Sequence, residues 1–580
     1  MVNELKFGFN RGNVYTINQG VTNLPYTIAV ASIPGFTGFT TLASNQFKIG
    51  VGNTYSYIDN LTLVRGEHTL KSGVEVRRIQ LNQGNTPSGA ITFASGTSFL
   101  ANSISSASYA AQLPVNGLRK TETYFYAEDE WKLLANLTLN LGVRYTFYNI
   151  FHEVNGKAIP FDFSTCGAVG FCGAGASFGN SNKLDIDPRI SVTWAPLALG
   201  GKTVLRGGFG LYHGDGQLDD QNLPINNEVG RYSLSAKTIP NLSYPVTPFL
   251  NGPGTVSPRD MNRNRKDMYV SQWGLSVQQE LPCNLVGTLS YVGSKGTHLL
   301  TTSYLNLIDP ATGLRPNAAF NQVEYRGNNS NSSYEGFVAS LQRSFTHGFL
   351  LSANYVYSHE IDQDSAGGGD ADFPANPACL SCERASGDYD VRHVFTSNAV
   401  YELPFGPGKM LFNQPGLASA VFGNWSLTAI DTARSGLPIN VTEDRSSSSV
   451  ATGYTTNQRP NRVPDISLTP SGGRTIHQWI NPAAFALVTD SGYGNSPRNI
   501  GRGPNLLQTD IGLAKDIHLA ERAHLLFRSE FFNIFNRAQY GQPLADLSSS
   551  TFGQIISTVN TGPVGTGTPG QIQFALRLEF

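Results

Sequence analysis

At 580 residues the chain is long enough for several soluble domains, yet charged residues make up only 14% of it and aromatics reach 11%, where a soluble protein is about 25% charged. With 41 Lys and Arg against 42 Asp and Glu, the net charge of −1 leaves nothing to neutralise a phosphate backbone, so nucleic-acid binding is excluded. No window holds 18 or more uninterrupted apolar residues, which excludes a transmembrane helix and leaves alternating strands as the route into a membrane.

The opening residues, Met1 to Phe9, read directly as a strand and not as a basic stretch with an apolar core, so an export signal is not expected within the chain. Tyr124, Phe125, Tyr126 and Trp131 cluster where a strand end should meet the membrane interface. Leu137 to Tyr148 then alternates strictly. Leu137, Leu139, Leu141, Val143, Tyr145 and Phe147 share one face, and Thr138, Asn140, Arg144 and Thr146 share the other. Weaker alternation follows at 202–212, 285–291, 337–344, 350–358, 425–430 and 525–535, with Tyr355 and Tyr357 near another strand end. In the last ten residues Ile572, Phe574, Leu576, Leu578 and Phe580 share a face opposite Gln573, Arg577 and Glu579.

Connections fall into two length classes. Those at 133–136, 196–201, 281–284, 345–348 and about 516–521 suit tight turns, whereas 80–120, 149–186, 213–267, 301–333, 359–389, 442–504 and 538–570 are long and rich in Gly, Asn, Ser and Pro. Strict alternation of short and long connections is what an antiparallel up-and-down transmembrane β-barrel requires, with short periplasmic turns and long extracellular loops. Walking back from Phe580 gives an all-β fold of about 16 strands, each about ten residues long. Arg144, Arg206, Arg528 and Glu530 fall on the polar face, which makes them candidates to face the lumen.

Few constellations carry chemistry. Gly175-Ala-Ser177-Phe-Gly179 has the spelling of a nucleophile elbow, but it lies in a Gly-rich loop without the strand and helix that motif needs. Gly565-Thr-Gly567-Thr-Pro-Gly570 spells a dinucleotide fingerprint, yet Pro569 and the strand that follows leave no helix N-terminus for a pyrophosphate. His213, His298 and His393 stand singly, with no spacing of a triad. Asp362, Asp364, Asp370 and Asp372 match no calcium-loop spacing and read as a solvated acidic loop. Of five cysteines, Cys166 with Cys172 and Cys379 with Cys382 are close neighbours in long loops. Two short-range disulfides are the simplest reading against a metal site or reduced thiols, with Cys283 free in a turn. No catalytic residue, cofactor or metal is expected, and the chain is not read as an enzyme.

Several stretches resemble the barrel of Oar-like TonB-dependent receptors. They are Tyr126-Ala-Glu-Asp-Glu-Trp-Lys132 followed by Leu137 to Tyr145, Tyr269 to Gln278, Tyr291-Val-Gly-Ser-Lys-Gly-Thr-His298, Asp390-Val-Arg-His393 leading into Tyr401-Glu-Leu-Pro-Phe405, Asn424-Trp425 with Ser435-Gly-Leu-Pro438, and Phe527 to Asn536. The resemblance runs over nearly the whole of 1–580. It implies a bacterial outer-membrane location, a barrel of about 22 strands, and a plug that carries the TonB-contacting box, often after a carboxypeptidase-regulatory-like domain. It also implies that the aromatic end, with Phe574, Leu576, Leu578 and Phe580, is read by the barrel-assembly machinery. On this footing the chain is expected to be an N-terminally incomplete barrel without plug, signal peptide or regulatory-like domain. Its partners would be outer-membrane lipid, the TonB complex through that plug, and a solute of the siderophore, glycan or peptide class. The other reading is a surface-exposed structural or adhesive barrel through which no solute passes.

Overall fold

The computed structural model describes residues 1–20, 26–30, 41–43, 45–111, 113–216, 221–227, 230–366, 373–414, 416–520, 523–560 and 565–580. Its wall is built from sixteen strands. In chain order these are β1 (Val2–Asn18), β2 (Gln46–Arg65), β3 (His68–Asn85), β4 (Leu113–Leu134), β5 (Leu137–Tyr148), β6 (Asp185–Trp194), β7 (Thr203–Gly214) and β8 (Met268–Leu281). They continue as β9 (Leu285–Leu305), β10 (Val323–Thr346), β11 (Phe349–Asp362), β12 (His393–Glu402), β13 (Trp425–Arg434), β14 (Leu506–Ala520), β15 (Ala523–Phe532) and β16 (Gln571–Glu579). Each pairs antiparallel with the next, so the fold is an all-β up-and-down meander. Strands β1 and β16 are its two edges, and among the described residues no pairing joins them.

The register carries one polar face across the whole sheet, because side chains directly opposite each other point the same way. Glu4 opposes Asn60, Glu75 opposes Tyr124, Tyr126 opposes Arg144, and Arg144 opposes Asp187. Further along, Thr193 opposes Arg206, Arg206 opposes Ser276, and Gly512 opposes Glu530. The other face carries Leu5, Phe7, Leu61, Leu141, Val143, Phe209, Leu275, Phe337, Leu576 and Leu578. All are large apolar side chains left exposed. In water such a surface would be costly. Against lipid hydrocarbon it is what a membrane wall needs.

Turn chemistry fixes the short end. Thr346 pairs with Phe349 across His347 (φ 52°) and Gly348 (φ 76°). Two successive left-handed residues make the primed turn whose twist matches flanking strands. The connection between β12 and β13 is longer than the other turns and holds a short helix, Leu417–Phe422.

Strand length departs from the expected ten residues. β10 has 24 residues, β4 has 22 and β9 has 21. A tilted crossing uses about 9–11, so the surplus runs beyond the bilayer at the long-loop end, as with the Asn- and Ser-rich first half of β10. The aromatic girdle expected at Tyr124 and Tyr126 also needs correction. Both lie on the polar face, where the Tyr124 hydroxyl donates to Glu122 Oε2 (2.5 Å) and the Tyr126 hydroxyl to Asn60 Oδ1 (2.8 Å). Phe125, on the opposite face, is exposed and stacks on Tyr145.

The long connections fold into a cap with cores of their own. Short strands Thr27–Val30, Thr41–Leu42, Ser88–Phe93, Ser106–Ala110 and Arg231–Ser235, drawn from three long connections, form a separate five-stranded sheet. Ile91, Phe93, Ile104, Leu234 and Leu242 pack beneath it. A second cluster joins Ile439, Val441, Ile480 and Phe485, and a third joins Phe161, Phe320 and Val323.

Candidate functional site

Two features stand out, a cavity midway along the wall strands β4 to β10 and, at the long-loop end, a cap held by ion pairs. A cavity of about 640 Å³ is lined by Glu128, Asn140, Arg189, Ser191, Gln272 and Tyr334 on the polar face, together with Ile190, Phe209, Trp273 and several glycines. Gly142 of β5, Gly208 and Gly210 of β7 and Gly274 of β8 occupy same-face positions and leave this hollow by lacking side chains. The Arg189 guanidinium sits 4.4 Å from the centroid of the Tyr212 ring, a cation–π contact that orients it. The sequence signal was present in Arg206-Gly-Gly-Phe-Gly210, whose glycines at 208 and 210 recur every second residue, but glycine alternation carries no hydropathy contrast.

The lumen candidates all lie on this polar face but are distributed. Arg144 lies over the Tyr124 ring (4.3 Å), Arg206 donates to Gln278 Oε1 (2.8 Å), and Arg528 approaches Glu530 at 3.9 Å. Only the last two belong to one contact, so the four do not form a single site.

The cap is fastened to the strand ends by buried ion pairs. Arg459 donates to Glu383 through both terminal nitrogens (2.5 and 3.0 Å), and its Nε donates to Ser496 O (2.9 Å). Arg498 pairs with Asp362 at the end of β11 and reaches Asp388 at 3.5 Å. Arg502 and Arg392 both donate to Asp390 Oδ2, at 2.5 and 3.0 Å. Burial works to raise the Asp390 carboxyl. Hydrogen bonds from Arg502, the Glu360 N–H and Arg392 outweigh it and hold the group well below the usual carboxylate range. The Asp390-Val-Arg-His393 motif thus works as an anchor for the connection 435–505. None of these partners was visible in the sequence, because Arg459 and Glu383 stand 76 residues apart.

Asp362 corrects the reading of a solvated acidic loop. It is 2% exposed and engaged by Arg498, whereas Asp364 accepts from the Ala366 N–H. Asp370 and Asp372 lie outside the described residues. Cys166 is joined to Cys172 and Cys379 to Cys382, and Cys283 is a free, exposed thiol. Ser177 donates its hydroxyl to Gly179 O (2.7 Å) within its own loop. His213 contacts Asp187 Oδ1 through Nδ1 (2.7 Å), and His393 contacts the Tyr355 hydroxyl (2.8 Å). Gly565 O accepts from Thr568, and the next regular element is β16, not a helix.

At the chain's end, Ile572, Phe574, Leu576 and Leu578 face Phe531, Ser529, Phe527 and Leu525 of β15. Phe574 stacks on Phe527 with ring centroids 6.3 Å apart. Phe580 follows β16 and is 94% exposed.

A family described as an outer membrane beta barrel domain matches residues 1–573. Among solved structures, the outer membrane transporter YddB from Escherichia coli aligns with a TM-score of 0.52 at 11% identity, over 100% of this chain and 60% of its own. The copper transporter OprC aligns with a TM-score of 0.48 at 10% identity, over 100% of this chain and 62% of its own. The ferripyoverdine receptor of the outer membrane of Pseudomonas aeruginosa gives 0.45 at 9% identity, over 92% and 49%. Likeness at such identities is one of fold, and this chain spans 60% of the length of the YddB transporter. No curated protein matches the chain.

Proposed function

The chain belongs to the outer membrane beta barrel domain family, and from that premise we propose that it forms the wall and outer cap of a TonB-dependent uptake receptor. An outer-membrane location fits the exposed apolar face of the sheet, which no aqueous compartment would favour. The observation that supports the uptake reading is a sheet with one continuous polar face, hollowed between β4 and β10, whose long connections are folded and tied down by Arg459, Arg498 and Arg502. A preordered cap binds a solute without the entropy cost of ordering loose loops.

In this reading the polar face, with Arg144, Arg206, Arg528 and Glu530, lines the lumen, and the long connections face the cell exterior. A plug of the kind the Oar-like resemblance implies would couple release to TonB. The apolar face of β16, with Phe574, Leu576 and Leu578, and Phe580 after it, serves recognition by the barrel-assembly machinery. The solute belongs to the siderophore, glycan or peptide class, and no catalytic step is involved.

The test is uptake of labelled ferric siderophore, oligosaccharide and peptide panels by cells that make the full-length protein, with and without functional TonB. Accumulation of one class that is lost without TonB supports the reading. Cell adherence in the absence of TonB-dependent accumulation would instead favour the adhesive barrel.

A further inference from the structure

At the short-turn end, β14 and β15 bring together a ligand set outside the features above. His518 and His524 stand directly opposite each other across the hairpin, with ring centroids 4.3 Å apart. Asp516, two residues before His518 and on the same face, places Oδ1 3.2 Å from His524 Nδ1 and 4.0 Å from His518 Nδ1. One donor atom from each of the three lies within 4.8 Å of the others. Ligand atoms around a tetrahedral zinc ion at about 2.0–2.1 Å stand roughly 3.3 Å apart. The 3.2 Å contact is at that spacing already and the 4.0 Å contact is within 1 Å of it, so rotations of exposed side chains bring the set to bonding distance.

We propose that Asp516, His518 and His524 form a site for a divalent transition-metal ion of the zinc class. Two imidazoles and one carboxylate suit zinc or a neighbouring transition metal, whereas calcium and magnesium prefer all-oxygen sets. All three side chains are reachable from solvent, since His518 is 59%, Asp516 43% and His524 33% exposed. They share the polar face with Arg528 and Arg577, so an ion enters from water and not through lipid. The bound ion clasps β14 to β15 near their turn, and its fourth position stays open to water or to a donor group on a partner. Glu579 is the next register neighbour of His524, but Arg577 Nε already occupies its Oε1 at 3.1 Å.

The test is titration of the metal-free, detergent-refolded chain with Zn²⁺ in competition with a weak chelator. One ion per chain is expected, with a Kd of about 10 µM or tighter. His518→Ala, His524→Ala and Asp516→Asn should each weaken it by about tenfold or more, and His347→Ala, at a different turn, should not. Mg²⁺ and Ca²⁺ should not compete. A heat-dependent gel shift common to all variants shows that they fold. As a measurement free of variants, Zn²⁺ should protect His518 and His524 of the unmodified chain from diethyl pyrocarbonate. No saturation below about 1 mM, or equal binding in the two histidine variants and the unmodified chain, overturns the site.

Discussion

Arg459→Ala would remove one partner of a buried ion pair and leave Glu383, 2% exposed, without its counter-charge. Glu383 would keep only the Ala375 N–H at 3.0 Å, and Ser496 O would lose the Arg459 Nε. Breaking a buried pair on one side costs about 3–5 kcal/mol, most of it from the uncompensated charge. That cost falls on the contact between 373–392 and 435–505, not on the strand ladder, so the cap should open locally while the wall stays folded. At about 1.4 kcal/mol per decade, amide protection around 454–500 should fall by roughly two to three and a half orders of magnitude. The assay is hydrogen exchange by mass spectrometry on the refolded chain, with heat-modifiable migration as the control for the wall. Arg459→Met combined with Glu383→Leu removes both charges and should recover most of the lost protection. Unchanged protection in Arg459→Ala, or a double variant no better than the single, would refute the assignment of the pair as the cap's fastening.

Burial first, and the charge of Asp162 second, push the Asp260 carboxyl in the cap up to about 8 from an ordinary 3.8. The native state therefore holds a proton that the unfolded chain releases, and cap stability should fall as pH rises from about 4 to about 8, by up to about 5 kcal/mol. Exchange at 231–261 followed against pH should show this, and Asp260→Asn should flatten the slope; an unaltered slope would speak against it. Maleimide should modify Cys283 alone before reduction and all five cysteines afterwards, with loss of about 2 kcal/mol of loop stability per opened disulfide. Leu576→Arg on the apolar face should cost about 2–4 kcal/mol in vesicle unfolding. Ala575→Glu, opposite Arg528, should cost less than about 1 kcal/mol.

The sequence marks the wall well where one face meets lipid and the other does not. Leu137–Tyr148 is delimited to the residue, and β7, β11, β13 and β16 are located to within a few residues. Alternation fades where a strand leaves the bilayer and both faces become wet, so Val323 to Ser333 of β10 reads as loop although it continues the ladder. The first hairpin is similarly obscure, because glycine and asparagine interrupt β1 and β2 at Gly8, Gly12, Gly50 and Gly52. Within the site, the face of Arg144 and Arg206 follows from period two alone. The partners of Arg459, Arg498 and Arg502 do not, since ion pairs between distant loops leave no periodic trace. The turn expected at about 516–521 needs correction, since β14 continues to Ala520 and sets His518 opposite His524 within the ladder, where a turn reading hides the pair.

Single cysteines along 139–146 of β5 test whether the sheet spans the outer membrane with its polar face turned away from lipid. In outer-membrane vesicles, a lipid-phase quencher should reach labels at Leu139, Leu141, Val143 and Tyr145. A water-soluble reagent should reach Asn140, Gly142, Arg144 and Thr146. Loss of that period-two alternation, or water access at every position, would contradict a membrane wall.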